Sequence, residues 1–153
     1  MEAIDVPGAS DPHTSIRLAE EEDKELVHSL LAPSIVIGIS SNAKTRQTKK
    51  LDGFIRKGII DKKVILLYLD DVAIGACIYD DHIINTIWHI NILKEYRMRR
   101  STGLLMHYLV NVVFEGEAVF FRNDTKSYES IAERDGNNYK IKPFFADFIK
   151  RTI

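Results

Sequence analysis

Ile90-Asn-Ile-Leu-Lys-Glu-Tyr-Arg-Met-Arg-Arg-Ser-Thr-Gly-Leu-Leu-Met-His-Tyr-Leu109 is the stretch whose reading decides the fold. Its first residues close an apolar run over 83–92 that reads as a strand. Beyond a turn at 93–102, Leu104, Leu105, Tyr108, Leu109, Val112 and Val113 recur at i, i+1, i+4, i+5, i+8 and i+9, the spacing of one helix face. The unit is therefore strand, turn and helix over 86–115. Ser101 or Thr102 can cap the helix and leave its first backbone N–H groups directed at the turn. Arg97, Arg99 and Arg100 add three permanent positive charges at the same end. Amides, the positive end of a helix dipole and guanidinium groups together suit a phosphate. The other reading is a solvated basic turn, or arginines that pair with the many acids elsewhere.

Outward from this unit, Val64–Tyr68 and Val72–Tyr79 are β-rich runs flanking Leu69-Asp70-Asp71, a hairpin signal. Asp80-Asp81-His82 turns the chain into the strand at 83–92, completing a meander. These three residues resemble a metal triad only superficially, since neighbours on a tight turn are ordinarily polar turn residues. Ser15–Leu18 reads as a strand, and Glu20–Asp23 supply acids for the first turn of a helix carrying Leu26, Val27, Leu30 and Leu31 and ended by Pro33. Residues 42–63 hold Lys44, Arg46, Lys49, Lys50, Arg56, Lys57, Lys62 and Lys63, with Leu51, Phe54 and Ile55 as a narrow apolar stripe. They predict an amphipathic helix whose basic face is either solvated or a dock for an acidic partner. Downstream, Gly116 stops the central helix, Ala118–Phe121 is a strand, Thr125–Arg134 a helix running to Gly136, and Tyr139–Lys142 and Phe144–Ile149 supply last strands around Pro143. The order β-α-α-β-β-β-α-β-α-β predicts an α/β protein with a mixed, mostly antiparallel central sheet and helices on both faces. Residues 1–14, with two prolines and a glycine, read as an extended arm, and 15–153 as a single domain.

The composition, 45% apolar and 28% charged over 153 residues, is globular. A net charge of −1 supplies no global attraction to nucleic acid or membrane, so electrostatic function must be local. The lone cysteine, Cys77, sits in an apolar run as a small core residue, and a reducing, cytoplasmic setting follows as the expectation. No apolar run reaches the length of a membrane span. Zinc-type Cys/His spacing, Gly-x-Ser-x-Gly and Walker-type loops are missing.

Residues 16–136 resemble the GNAT superfamily of acyl-CoA-dependent N-acyltransferases. Ile16-Arg-Leu-Ala-Glu-Glu-Glu-Asp23 is similar to the family's first strand and helix entry. Leu69-Asp-Asp-Val-Ala-Ile-Gly-Ala76 is similar to its hairpin, with Gly75 at the usual glycine. Ile92-Leu-Lys-Glu-Tyr-Arg97 resembles its strand followed by Pro-Glu-Tyr-Arg. The family's Arg/Gln-x-x-Gly-x-Gly/Ala motif wraps the pyrophosphate of coenzyme A in backbone amides. Aligned on Glu95-Tyr96-Arg97, this chain has Arg100 and Thr102 at the two small positions, with Gly103 one place late. A register starting at Arg100 recovers Gly103 but puts Leu105 at the second small position. The family's second motif, Asn-x-x-Ala-x-x-x-Tyr-Glu-x-x-Gly-Phe, aligns with Asp124-Thr-Lys-Ser127-Tyr-Glu-Ser-Ile131-Ala-Glu-Arg-Asp-Gly136, with Ile131 at the tyrosine that protonates the departing thiolate.

The resemblance implies acetyl-CoA between the splayed third and fourth core strands. Ile92, Arg97, Arg99, Arg100, Ser101, Thr102, Gly103 and Asp124 would lie about the cofactor, and Tyr128 or Tyr139 would replace the tyrosine. His89, whose ordinary pKa suits neutral pH, is the candidate base; the other reading is a packed or surface strand histidine. Two functions remain: an N-acetyltransferase acting on a protein or small-molecule amine, and a GNAT-like binding or structural module, such as those encoded by phages, that docks an acidic partner. Nucleic acid is disfavoured because base-stacking aromatics are not interleaved with the basic segments. A homodimer stays open.

Overall fold

The computed structural model describes residues 3–4, 13–34, 41–82, 85–97, 100–115, 120–121, 132–135 and 138–141. Its strands are β1 (Ala3–Ile4), β2 (Thr14–Leu18), β3 (Val64–Leu69), β4 (Val72–Asp80), β5 (Thr86–Ile92), β6 (Phe120–Phe121), β7 (Ala132–Asp135) and β8 (Asn138–Ile141). The helices are α1 (Lys24–Leu31), α2 (Ser41–Ile60) and α3 (Arg100–His107), the last prolonged by a π-helical turn over Tyr108–Val113. Among the described residues one eight-stranded sheet has the order β1-β2-β3-β4-β5-β6-β8-β7. Neighbours pair antiparallel except β5 and β6, which run parallel. The α/β mixed sheet with helices on both faces is thus as the periodicity predicts.

The centre of the sheet is dry on both sides. Val64, Ile65, Leu66 and Leu67 of β3 are all fully buried. Val64 and Leu66 pack with Val27 and Leu31 of α1 and Leu51 and Ile55 of α2. Ile65 and Leu67 face the other way, onto Leu105 and Leu109. A strand covered on both faces needs a continuous apolar run rather than alternation, and Val-Ile-Leu-Leu is that run. Asp70 and Asp71, at φ 48° and 65°, form the tight β3–β4 turn; aspartate tolerates the left-handed region this turn demands.

Two irregularities in register shape the working end. Leu67 pairs with Gly75 but Tyr68 with Ala73, leaving Ile74 as the extra residue of β4. Ile78 pairs with His89 but Tyr79 with Ile87, so Trp88 is the extra residue of β5. A bulge breaks the two-residue alternation. Trp88 and His89 consequently both face α2, where Phe54 lies 4.7 Å from the Trp88 ring and 5.6 Å from the His89 ring, centroid to centroid.

Two expectations change. The helix predicted over Thr125–Arg134 does not reach its end, because Ala132–Asp135 is strand β7, paired with β8 from Ala132↔Ile141 to Asp135↔Asn138. The intervening Gly136-Asn137 is a pair favoured between hairpin strands, and cross-strand pairing there outranks a local helical pattern; residues 122–131 lie outside the described residues. The central helix ends at Val113, with Glu115 at φ 51°, before Gly116, which is itself outside the described residues. In the N-terminal arm, Ala3 and Ile4 pair with Arg17 and Ile16, and Thr14 opens β2.

Candidate active site

The site grows from the end of β5. Leu93 N–H donates to Ile74 C=O at 2.8 Å, tying the strand end to the β4 bulge. Gly75 lets the two strands close up there, since a Cβ on it would meet Asn91 O and Ile92 Cγ1 at 3.0 Å. A short 3-10 turn over Lys94–Tyr96 follows, and Arg97 folds back onto β5. Its Nε donates to Ile92 C=O at 2.8 Å and its Nη2 to Asn91 Oδ1 at 3.1 Å. The buried Asn91 in turn donates through Nδ2 to Leu30 C=O at 2.7 Å, the last turn of α1. One amide therefore joins helix, strand and turn.

Helix α3 begins at Arg100. Arg100, Ser101, Thr102 and Gly103 are its first four residues, the positions whose N–H groups have no acceptor inside the helix. Among the described residues, β5 pairs with β6 only at Thr86↔Phe120 and Ile87↔Phe121. His89 and Ile92 lie beyond this junction, on the length of β5 leading to the turn. Tyr139 is brought to the same region of the sheet, its backbone opposite Phe121 in β8. Arg99, Asp124 and Tyr128 lie outside the described residues.

Buried phenols and a thiol line the interior nearby. Burial raises the Tyr79 pKa first, with Tyr108, Cys77 and Asp81 adding to it, and burial alone raises that of Tyr108. Both hydroxyls therefore stay protonated at neutral pH. Cys77 is fully buried and its thiol is pushed up by desolvation, consistent with its reading as a core residue.

Asn91 was not legible as a member of the site, although a lone amide within an apolar strand run is a usable signal: burial obliges it to find partners. Phe54 meeting Trp88 and His89 joins residues distant in sequence, and nothing local announces it.

The fold is similar to that of solved GNAT N-acetyltransferases. PaiA N-acetyltransferase from Thermoplasma acidophilum, in complex with coenzyme A, is similar at a TM-score of 0.55 and 13% identity, over 84% of this chain and 96% of that one. Naa50 from Arabidopsis thaliana, with a bisubstrate analogue, gives 0.51 and 13%, over 84% and 97%. FdhC, a nucleotide-linked sugar GNAT, gives 0.55 and 17%, over 92% of each chain. No protein-family model matches the chain, and the comparison with curated proteins finds no match. At these identities the likeness is one of fold. No helix among the described residues is long and apolar enough to cross a membrane.

Proposed function

We propose that the chain is an acyl-CoA-dependent N-acyltransferase that moves an acetyl group to an amine acceptor. The observation that supports it is the parallel β5–β6 pair, joined at Thr86 and Ile87, with β5 running on through Ile92 to the start of α3. Ile92 and the amides of Arg100, Ser101, Thr102 and Gly103 would hold coenzyme A, with Arg99 and Arg100 supplying positive charge and Asp124 a further contact. When bound, the cofactor supplies an acyl group activated as a thioester. Arg97 serves this site by holding the turn against β5. His89 takes the proton from the acceptor's ammonium, directly or through water, so that the neutral amine can attack. Tyr139 or Tyr128 would be the proton donor for the thiol that the cofactor releases. A β5 backbone amide would supply the hydrogen bond that acyl transfer needs at the acyl oxygen.

Release of free thiol from acetyl-CoA in the presence of a panel of amines tests this reading. His89→Ala should lower the rate by about 10²-fold, within the range for loss of a general base. Thiol release from no amine class would contradict it. The second reading, a binding module for an acidic partner, is favoured by the exposed Lys49, Lys50, Arg56 and Lys57 on α2 and predicts that outcome.

A further inference from the structure

Where α2 ends against the β4–β5 connection, the structure holds a cavity of about 560 Å³, within the usual range of small-molecule pockets. Phe54 and Trp88 line it, tilted at 55° to one another, and Ile78 continues the apolar surface. Five ionisable groups of fixed charge also line it: Lys57, Asp61, Lys63, Asp80 and Asp81. Two of them are already matched, because the Lys63 ammonium is ion-paired with Asp81 and stands 5.5 Å from the centre of the Tyr79 ring. Asp80 accepts the His82 N–H through Oδ1 at 3.0 Å, and among the described residues neither it nor Asp61 forms a salt bridge. Asp61 and Asp80 therefore line the cavity together with Lys57 and His82.

We propose that this pocket binds a small organic ammonium ion carrying an apolar body. The apolar body is matched by Phe54, Trp88 and Ile78. The ammonium is matched by two carboxylates and by aromatic faces, whose negative quadrupoles attract cations. An organic anion of the same shape meets two carboxylates and one solvated lysine, and is repelled. Binding here is a property of the pocket and is read apart from acyl transfer.

Trp88 is the single tryptophan of the chain, so its fluorescence reports the pocket directly. The full chain is titrated with 3-phenylpropylamine, 3-phenylpropanol and 3-phenylpropanoate, which share one apolar body and differ in charge. The amine should change the emission saturably, with an affinity at least about tenfold above that of the alcohol or the acid, a gap of about 1.4 kcal/mol. Asp61→Asn with Asp80→Asn should remove most of that preference and leave the alcohol's affinity unchanged. Because Asp61 is exposed, Asp61→Asn alone serves if the double variant loses its far-ultraviolet dichroism, and should lower the amine's affinity several-fold. Equal or tighter binding of the acid overturns the proposal. So does an amine preference that the variants leave intact, or no saturation by the amine up to about 10 mM, an affinity near 3 kcal/mol that any surface could supply.

Discussion

At the scale of single residues, Asn91 sets the geometry that the rest depends on. It is buried, it fixes the end of α1 through Leu30, and it holds Arg97 and with it the turn that leads into α3. A leucine of similar size would fill the space and leave Leu30 C=O and one Arg97 nitrogen without their partner. Stranding buried polar groups costs about 1–3 kcal/mol. Asn91→Leu should therefore lower the unfolding free energy by that amount, read as a lower urea midpoint with an unchanged slope, and an unaltered midpoint would show that the bridge contributes nothing. Gly75 makes the same corner possible from the other side, since a Cβ on it would lie 3.0 Å from Asn91 O.

At the scale of elements, α2 carries two glycines whose surroundings predict opposite outcomes. A Cβ at Gly53 meets nothing within 4 Å, whereas one at Gly58 would lie 2.6 Å from Val64 Cγ2. Alanine gains about 0.5–1 kcal/mol over glycine inside a helix. Overpacking a core costs about 1–3 kcal/mol, and Val64 is fully buried and β-branched, so it cannot turn aside. Gly53→Ala should raise the melting temperature and Gly58→Ala should lower it; a rise in both would mean that α2 packs more loosely on β3. The same element shows what the sequence made legible. Basic residues beside a Leu51–Ile55 stripe predict α2, and Asp70-Asp71 between apolar runs predicts the hairpin, because each signal is local. The bulges at Ile74 and Trp88, and the conversion of Ala132–Asp135 to strand, arise from pairing with distant chain, so the joint placement of Trp88 and His89 opposite Phe54 was beyond reach of periodicity.

At the scale of the molecule, the fold and the chemistry are separate claims, since one architecture hosts many functions. The likeness to solved GNAT N-acetyltransferases shows the fold, whereas alignment of Glu95-Tyr96-Arg97 on the family's motif would put Arg100 and Thr102 at its small positions. The central claim is that the first amides of α3, with the arginines beside them, still make a seat for coenzyme A. Calorimetric titration of the whole chain with acetyl-CoA tests it most directly. Saturable binding in the micromolar range, about −8 kcal/mol, weakened at least about tenfold by Arg99→Ala with Arg100→Ala through loss of charge-assisted contacts, is the predicted result. No saturable heat at about 1 mM acetyl-CoA, where even an affinity of about −4 kcal/mol would half-fill the site, would contradict it.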